Sequence, residues 1–214
     1  MMGMKAKIQN WRLYLITDEQ LSQGKSHLQI ADAAIQGGAD VIQLRDKSAS
    51  SRELYDSAGQ IRELTRKNKI PFILNDRLDI ALAVQADGLH VGQTDLPVKV
   101  ARKVLGASGI LGVSAGSLQE AILAEQDGAD YLGVGPVYEA RGTKADAGEP
   151  RGLTLISQIR QHCNIPIIAI GGITPENANE VLKAGASGVA VISAIIAAPD
   201  ILQATRDFKR KIVS

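Results

Sequence analysis

The chain has 214 residues, enough for one large domain or two small ones, and its formal net charge is +1 with 3% aromatic residues. Near-balanced charge argues against a general nucleic-acid or membrane-surface binder, which needs a basic face. One cysteine, Cys163, rules out an intramolecular disulfide, the opening stretch MMGMKAKIQNW has no apolar core of signal-peptide length, and no apolar run approaches membrane-spanning length, so the expected location is the cytoplasm.

Short runs rich in Val, Ile and Leu recur along the chain. They are Trp11–Thr17, Asp40–Leu44, Pro71–Leu74, Gly88–Val91, Ile110–Val113, Tyr131–Val134, Ile165–Ile170 and Val189–Ile192. They show little alternation, as strands buried on both faces should. Between them, Leu28–Gln36, Ser51–Asn68, Leu78–Val84, Val98–Leu105, Leu118–Asp127, Leu153–His162 and Pro175–Ala184 carry apolar residues at helical steps, and Pro199–Ile212 forms a last helix with a basic end.

A turn pattern echoes through this alternation. Gly38-Ala39-Asp40, Ala86-Asp87-Gly88, Gly128-Ala129-Asp130 and Gly185-Ala186-Ser187-Gly188 each stand between a helix and a strand. Glycine ends the helix and a short loop feeds the next strand. Eight strands alternating with helices predict a single-domain (β/α)8 TIM barrel over 1–214, with 1–10 as an N-terminal extension. An open doubly wound sheet is the runner-up, but the chain has no dinucleotide fingerprint.

In a barrel every strand exit opens on one face, so residues scattered in sequence form one constellation there. The second strand leads into Gln43-Leu44-Arg45-Asp46-Lys47. Gln43 and Arg45 share a parity, with Lys47 one alternation further, so all can face the interior. An Arg and a Lys at a pocket rim suit a diphosphate, although the same charges can be a solvated loop. Asn75-Asp76 follow the third strand and Asp95 the fourth. Carboxylates at adjacent exits can share Mg²⁺, which takes few protein ligands and leaves positions for substrate phosphate. The bland alternatives are a helix cap for Asp76 and a turn before Pro97 for Asp95.

Ser114 follows the fifth strand, and a loop from Gly135 to Gly152, carrying Thr143 and Lys144, follows the sixth. Long loops on this face are usually lids or clamps, and Lys144 reads as a phosphate contact or an exposed lysine. Gly171-Gly172 and Ser193 end the last two strands, where bare backbone N–H groups can face a phosphate. His90 lies on a strand and reads as a general base or, more commonly, a core or supporting histidine, whereas His27 and His162 read as structural or exposed. The residues alone imply two anion sites and so two phosphorylated small-molecule ligands.

In this order, QLRDK, NDR, HVGQTD, GVS, GTKADAG, AIGGI and VIS resemble the thiamine phosphate synthase family, over about Leu13–Pro199. The resemblance implies a (β/α)8 enzyme that joins a hydroxymethylpyrimidine diphosphate to a thiazole phosphate with Mg²⁺, releasing diphosphate. It implies that Gln43, Leu44, Arg45, Asp46, Lys47, Asn75, Ser114 and Lys144 hold the pyrimidine diphosphate, and that Asp76 and Asp95 bind the metal. Thr143, Gly171, Gly172, Ile192 and Ser193 would hold the thiazole phosphate. Arg45, Lys47 and Lys144 would be catalytic, stabilising the departing charge. The family usually has Glu where Asp46 stands, and a second threonine where this loop reads Ala140-Arg141-Gly142.

The related thiazole tautomerase relies on a histidine two residues after the fifth-strand serine, where this chain has Gly116. A non-catalytic phosphate-binding barrel would not need the full set Arg45, Lys47, Asp76, Asp95 and Lys144. A homo-oligomer is compatible with the sequence.

Overall fold

The computed structural model describes residues 8–139 and 149–213. Strand and helix alternate: β1 (Leu13–Ile16), α1 (His27–Gly37), β2 (Val41–Leu44), α2 (Ser51–Asn68), β3 (Phe72–Asn75), α3 (Leu78–Ala83), β4 (Gly88–Val91), α4 (Val98–Leu105), β5 (Ile110–Ala115), α5 (Leu118–Gln126) and β6 (Tyr131–Val134). Then come α6 (Gly152–His162), β7 (Ile167–Ile170), α7 (Ala178–Lys183), β8 (Gly188–Val191), α8 (Ser193–Ile196) and α9 (Ile201–Val213). Each strand pairs in parallel with the next, and β1 pairs with β8, so the sheet closes on itself. The expected barrel is therefore the fold, and the open sheet is excluded.

The helix starts obey local chemistry. Ser26 and Ser50 each accept a hydrogen bond at the head of α1 and α2, and Gln29 and Glu53 close the reciprocal capping boxes. Gly38, at φ 98°, ends α1 in the left-handed conformation that the glycine stop implied. Two helices depart from expectation. The last strand is followed by the four-residue α8, too short for a hydrophobic period to register. α7 begins at Ala178 rather than Pro175 because the Asn177 side chain holds the preceding turn: it accepts from Thr174 N–H (2.8 Å) and donates to Gly172 C=O (3.0 Å).

The echoed turn has a physical reason that its spacing alone does not show. Asp40 Oδ2 accepts from the N–H groups of Arg12 and Leu13 (both 2.8 Å) at the start of β1. Asp87 Oδ2 accepts from Phe72 N–H (2.9 Å) at the start of β3, and Asp130 Oδ2 from Leu111 N–H (2.8 Å) in β5. Ser187 Oγ accepts, at 3.4 Å, from Ile167 N–H at the start of β7. Each side chain thus serves the odd-numbered strand beside its own. The three carboxylates are also paired with cations: Asp40 with Lys209, Asp87 with Arg62 (2.7 Å) and Asp130 with Arg102 (2.5 Å). These clamps sit at the N-terminal face, where barrel residues serve stability rather than chemistry.

The core fills the space between sheet and helices, with Leu13, Leu15, Ile42, Leu44 and Leu74 fully buried. Trp11, Tyr14 and Tyr131 meet inside the barrel near its N-terminal end, at ring separations of 5.5–6.0 Å. All three are nearly inaccessible and form a floor. Among the described residues no helix is long and apolar enough to cross a membrane.

Candidate active site

Above that floor, at the strand exits, lies a cavity of about 340 Å³. Side chains of one parity line it: Tyr14 and Ile16 from β1, Gln43 and then Arg45 from β2, His90 from β4, Ser114 from β5. Arg45, Lys47, Asn75, Asp76, Asp95 and Gly171 are part of the same wall, so the scattered strand-exit residues do converge. Thr143 and Lys144 lie outside the described residues.

The same alternation corrects two expectations. Leu44 is fully buried in the core behind the sheet, and its side chain does not line the cavity. Asp46 also turns away from it. Its carboxylate accepts from Ser48 N–H (2.8 Å), Ser48 Oγ–H (2.8 Å) and Ala49 N–H (3.0 Å), with His27 at 3.4 Å. These bonds hold Asp46 below the usual carboxylate range against the cost of its burial. Asp46 therefore orders the loop that carries Lys47. His27, buried against Thr17 at 2.8 Å, is structural, as expected.

Asp76 is not a helix cap. The residue at the head of α3 is Arg77, which makes no side-chain cap. Asp76 sits at φ 61°, a left-handed conformation that costs a non-glycine residue about 1 kcal/mol, and its N–H donates to His90 C=O (2.8 Å). Its carboxyl group is pushed up to about 6, chiefly by burial and then by a hydrogen bond to, and the charge of, Asp95; Lys47 and Arg45 pull the other way. Asp95 does close a turn, accepting from Gly92 N–H at 2.7 Å, but it also faces Asp76.

Two neighbouring carboxylates are a donor set for a hard divalent cation, since a shared positive charge offsets the burial and repulsion that raise Asp76. Among the described residues no group of three or more His, Cys, Asp or Glu side chains is placed to hold a metal ion. A two-carboxylate site suits Mg²⁺, which completes its shell with water and substrate phosphate, and poorly suits a cation needing an all-protein cage. The residues present fit the expected metal.

At the exits of β7 and β8 a smaller recess of about 30 Å³ is lined by Gly171, Gly172, Ile192 and Ser193 among others. The position, after the last two strands and beside a short extra helix, is where barrels commonly hold phosphate. Both glycines have positive φ (102° and 64°). They also have a packing duty: a Cβ on Gly171 would come 2.5 Å from Pro136 Cβ, and one on Gly172 2.7 Å from Glu139 C=O. The glycine pair thus lets the segment after β6 lie across the mouth, with Tyr138 N–H donating to Gly171 C=O at 3.0 Å.

Strand-exit reading missed Tyr14, Tyr131 and Gln93. The tyrosines lie at the starts of β1 and β6, two and three residues before the strand ends, and line the cavity from below. In a chain this poor in aromatics, a tyrosine at an inward-facing strand position was the available signal. Gln93 reaches across from the β4 exit and donates to Ser114 C=O at 2.5 Å.

A barrel that sets paired carboxylates beside a guanidinium and an ammonium group, with a separate glycine-lined recess, belongs to the class of barrel enzymes that act on phosphorylated small molecules. A family model described as thiamine monophosphate synthase matches residues 13–195. A thiamine-phosphate synthase of Methanospirillum hungatei is 59% identical over 196 residues, covering 92% of this chain and 95% of that protein. One of Chloroflexus aurantiacus is 53% identical over 204 residues, covering 95% and 94%. Among solved structures, a thiamine phosphate pyrophosphorylase from Pyrococcus furiosus superposes with a TM-score of 0.88 at 41% identity, covering 96% of both chains. The chain belongs to the thiamine monophosphate synthase family.

Proposed function

We propose that this enzyme joins the diphosphate of an aminopyrimidine methanol to a thiazole phosphate, forming thiamine phosphate and free diphosphate, with Mg²⁺ held by Asp76 and Asp95. The observation that carries the reading is the carboxylate pair facing Arg45 and Lys47 across one cavity. Such a set binds a diphosphate and stabilises it as it leaves. A bound Mg²⁺ supplies charge neutralisation for the diphosphate oxygens.

The chain's own residues divide the remaining work. Gln43 and Asn75 orient the aminopyrimidine deep in the cavity. As the methylene C–O bond breaks, its electron pair goes with diphosphate, whose charge Arg45 and Lys47 hold, joined by Lys144. The amino nitrogen's lone pair supports the cationic methylene carbon, and the thiazole nitrogen's lone pair then forms the new C–N bond. Ser114 contacts the diphosphate. Gly171, Gly172, Ile192 and Ser193 seat the thiazole phosphate in the recess beside that carbon, with Thr143 on the thiazole. No protein nucleophile or strong base is required. We place the enzyme in the cytoplasm, where the single buried Cys163 stays a thiol.

The test is direct. Both phosphorylated substrates are mixed with the protein and Mg²⁺, and thiamine phosphate and diphosphate are expected in equal amounts, with neither formed in chelator. Diphosphate release without thiamine phosphate, or rearrangement of the thiazole alone, would overturn the reading.

A further inference from the structure

A chain of buried hydrogen bonds crosses the cavity floor. Gln43 Nε2 donates to Tyr14 Oη (2.8 Å), Tyr14 Oη meets Tyr131 Oη (2.9 Å), Tyr131 Oη meets His90 Nδ1 (3.0 Å), and His90 Nε2 meets Ser114 Oγ (2.9 Å). It runs from one side of the cavity to the other, and its two ends, Gln43 and Ser114, both line that cavity.

We propose that Tyr14, Tyr131 and His90 are positioning residues whose single hydrogen-bond polarity fixes Gln43 as an acceptor and Ser114 as a donor toward the pyrimidine diphosphate. The inference rests on the function proposed above and adds to it how the deep half of that site is told which way to face.

The two polarities follow from a count of protons. Each phenol has one, and a neutral imidazole has one shared between two nitrogens. If Gln43 N–H donates to Tyr14, Tyr14 passes its own proton toward Tyr131, and Tyr131 passes its proton to His90 Nδ1. His90 then carries hydrogen on Nε2 and donates to Ser114, whose proton is left for the cavity. A mixed arrangement sets two protons or two acceptors face to face, or leaves a buried phenol proton without an acceptor in this chain of bonds, which a dry interior penalises. Burial pushes both phenols well above their ordinary range, so each keeps its proton at any working pH.

The opposite polarity, with the Gln43 amide turned over, is equally continuous, so the ligand's chemistry decides between them. In the first polarity Gln43 offers Oε1 to the cavity, where the substrate carries an amino group, and Ser114 offers O–H, where it carries diphosphate. The reverse would set N–H against the amine and a lone pair against the anion. Only the first polarity complements the substrate at both ends.

The barrel makes room for this relay at the expense of its own strands. A Cβ on Gly112 in β5 would overlap the Tyr131 ring, and one on Gly133 in β6 would come 2.8 Å from His90 Cε1. Glycine weakens a strand interior, and both sites sit where a ring of the relay needs the space. Trp11 buttresses both phenols from below.

The experiment has two arms. With the pyrimidine diphosphate bound and no thiazole phosphate present, ¹⁵N spectra of selectively labelled histidine should show His90 as the Nε2–H tautomer, and Tyr131→Phe should abolish that preference; an Nδ1–H tautomer, or no change in the variant, refutes the relay without any turnover. In steady-state assays, Tyr131→Phe should lower kcat/KM for the pyrimidine diphosphate about tenfold while KM for the thiazole phosphate stays within twofold, and in a Ser114→Ala background the same substitution should cost only about threefold, because the Gln43 end alone is then left to lose. Ser114→Thr, which keeps the hydroxyl, should restore the tenfold effect. Tyr14→Phe, a second break in the chain, should behave alike and serves if Tyr131→Phe does not fold. Equal losses in both backgrounds, or a parallel loss of thiazole affinity, mean that the tyrosines only support the floor. A wild-type protein that makes no thiamine phosphate refutes the proposed reaction instead, and the tautomer arm still judges the relay.

Discussion

The Asp76–Asp95 pair yields a prediction that can be worked through. With its carboxyl group at about 6, Asp76 is mostly protonated at pH 5 and mostly ionised at pH 7. A proton and a divalent cation compete for the same oxygens, so cation affinity should be about tenfold weaker at pH 5 than at pH 7. Asp95→Asn keeps the oxygen that accepts from Gly92 N–H but removes the neighbouring charge. Burial still acts on Asp76, so its carboxyl falls only part of the way back toward 3.8. The pH effect should then shrink to about twofold, while affinity at pH 7 drops because one anionic ligand is gone. Mn²⁺ titrations followed by electron paramagnetic resonance at the two pH values, on both proteins, measure this. Equal wild-type affinity at pH 5 and pH 7, or a tenfold effect that survives in Asp95→Asn, would refute the reasoning. The same shift has a stability sign. Asp76 binds its proton more tightly folded than unfolded, so its contribution is fully present below 3.8 and is lost as pH rises through about 6. Metal-free protein should lose that contribution across this window, and added Mg²⁺ should offset the loss above it.

Two further outcomes test the two ends of the barrel separately. Asp130→Ala removes the acceptor of Leu111 N–H and the partner of Arg102, and should cost about 2 kcal/mol in urea unfolding with kcat/KM unchanged, because the clamp lies on the face opposite the cavity. Ser193→Ala should raise KM for the thiazole phosphate about fivefold, the loss of one charge-assisted hydrogen bond, with KM for the pyrimidine diphosphate unaffected.

The sequence made the strand exits legible because a run of Val, Ile and Leu followed by a polar or glycine turn has one reading in a βα repeat. Parity within the second strand was enough to aim Gln43, Arg45 and Lys47 inward. Leu44 and Asp46 came along as neighbours in a contiguous stretch, and alternation is what removes them. The Gly-Ala-Asp echo was visible as a helix stop, but the use of Asp40, Asp87 and Asp130 was not. A carboxylate that accepts from the first N–H of an adjacent strand is a long-range contact with no local signature. Asp76 shows the same limit from the other side. A residue before a helix reads as a cap, and only its left-handed backbone and its approach to Asp95 reveal another duty. Tyr14 and Tyr131 escaped because attention to strand ends looks away from strand beginnings, where a long side chain can still reach the ligand.

The aromatic floor has a consequence for traffic. Among the described residues, the nearly inaccessible Trp11, Tyr14 and Tyr131 close the N-terminal end of the barrel, so the cavity opens at the strand exits. Whatever rests on the tyrosines has to arrive before anything seated above it and depart after it. The seating proposed here puts the pyrimidine at the bottom and the thiazole phosphate at the rim. Binding is then sequential by geometry, and an excess of the rim substrate should act as a stopper that slows the loading of the well.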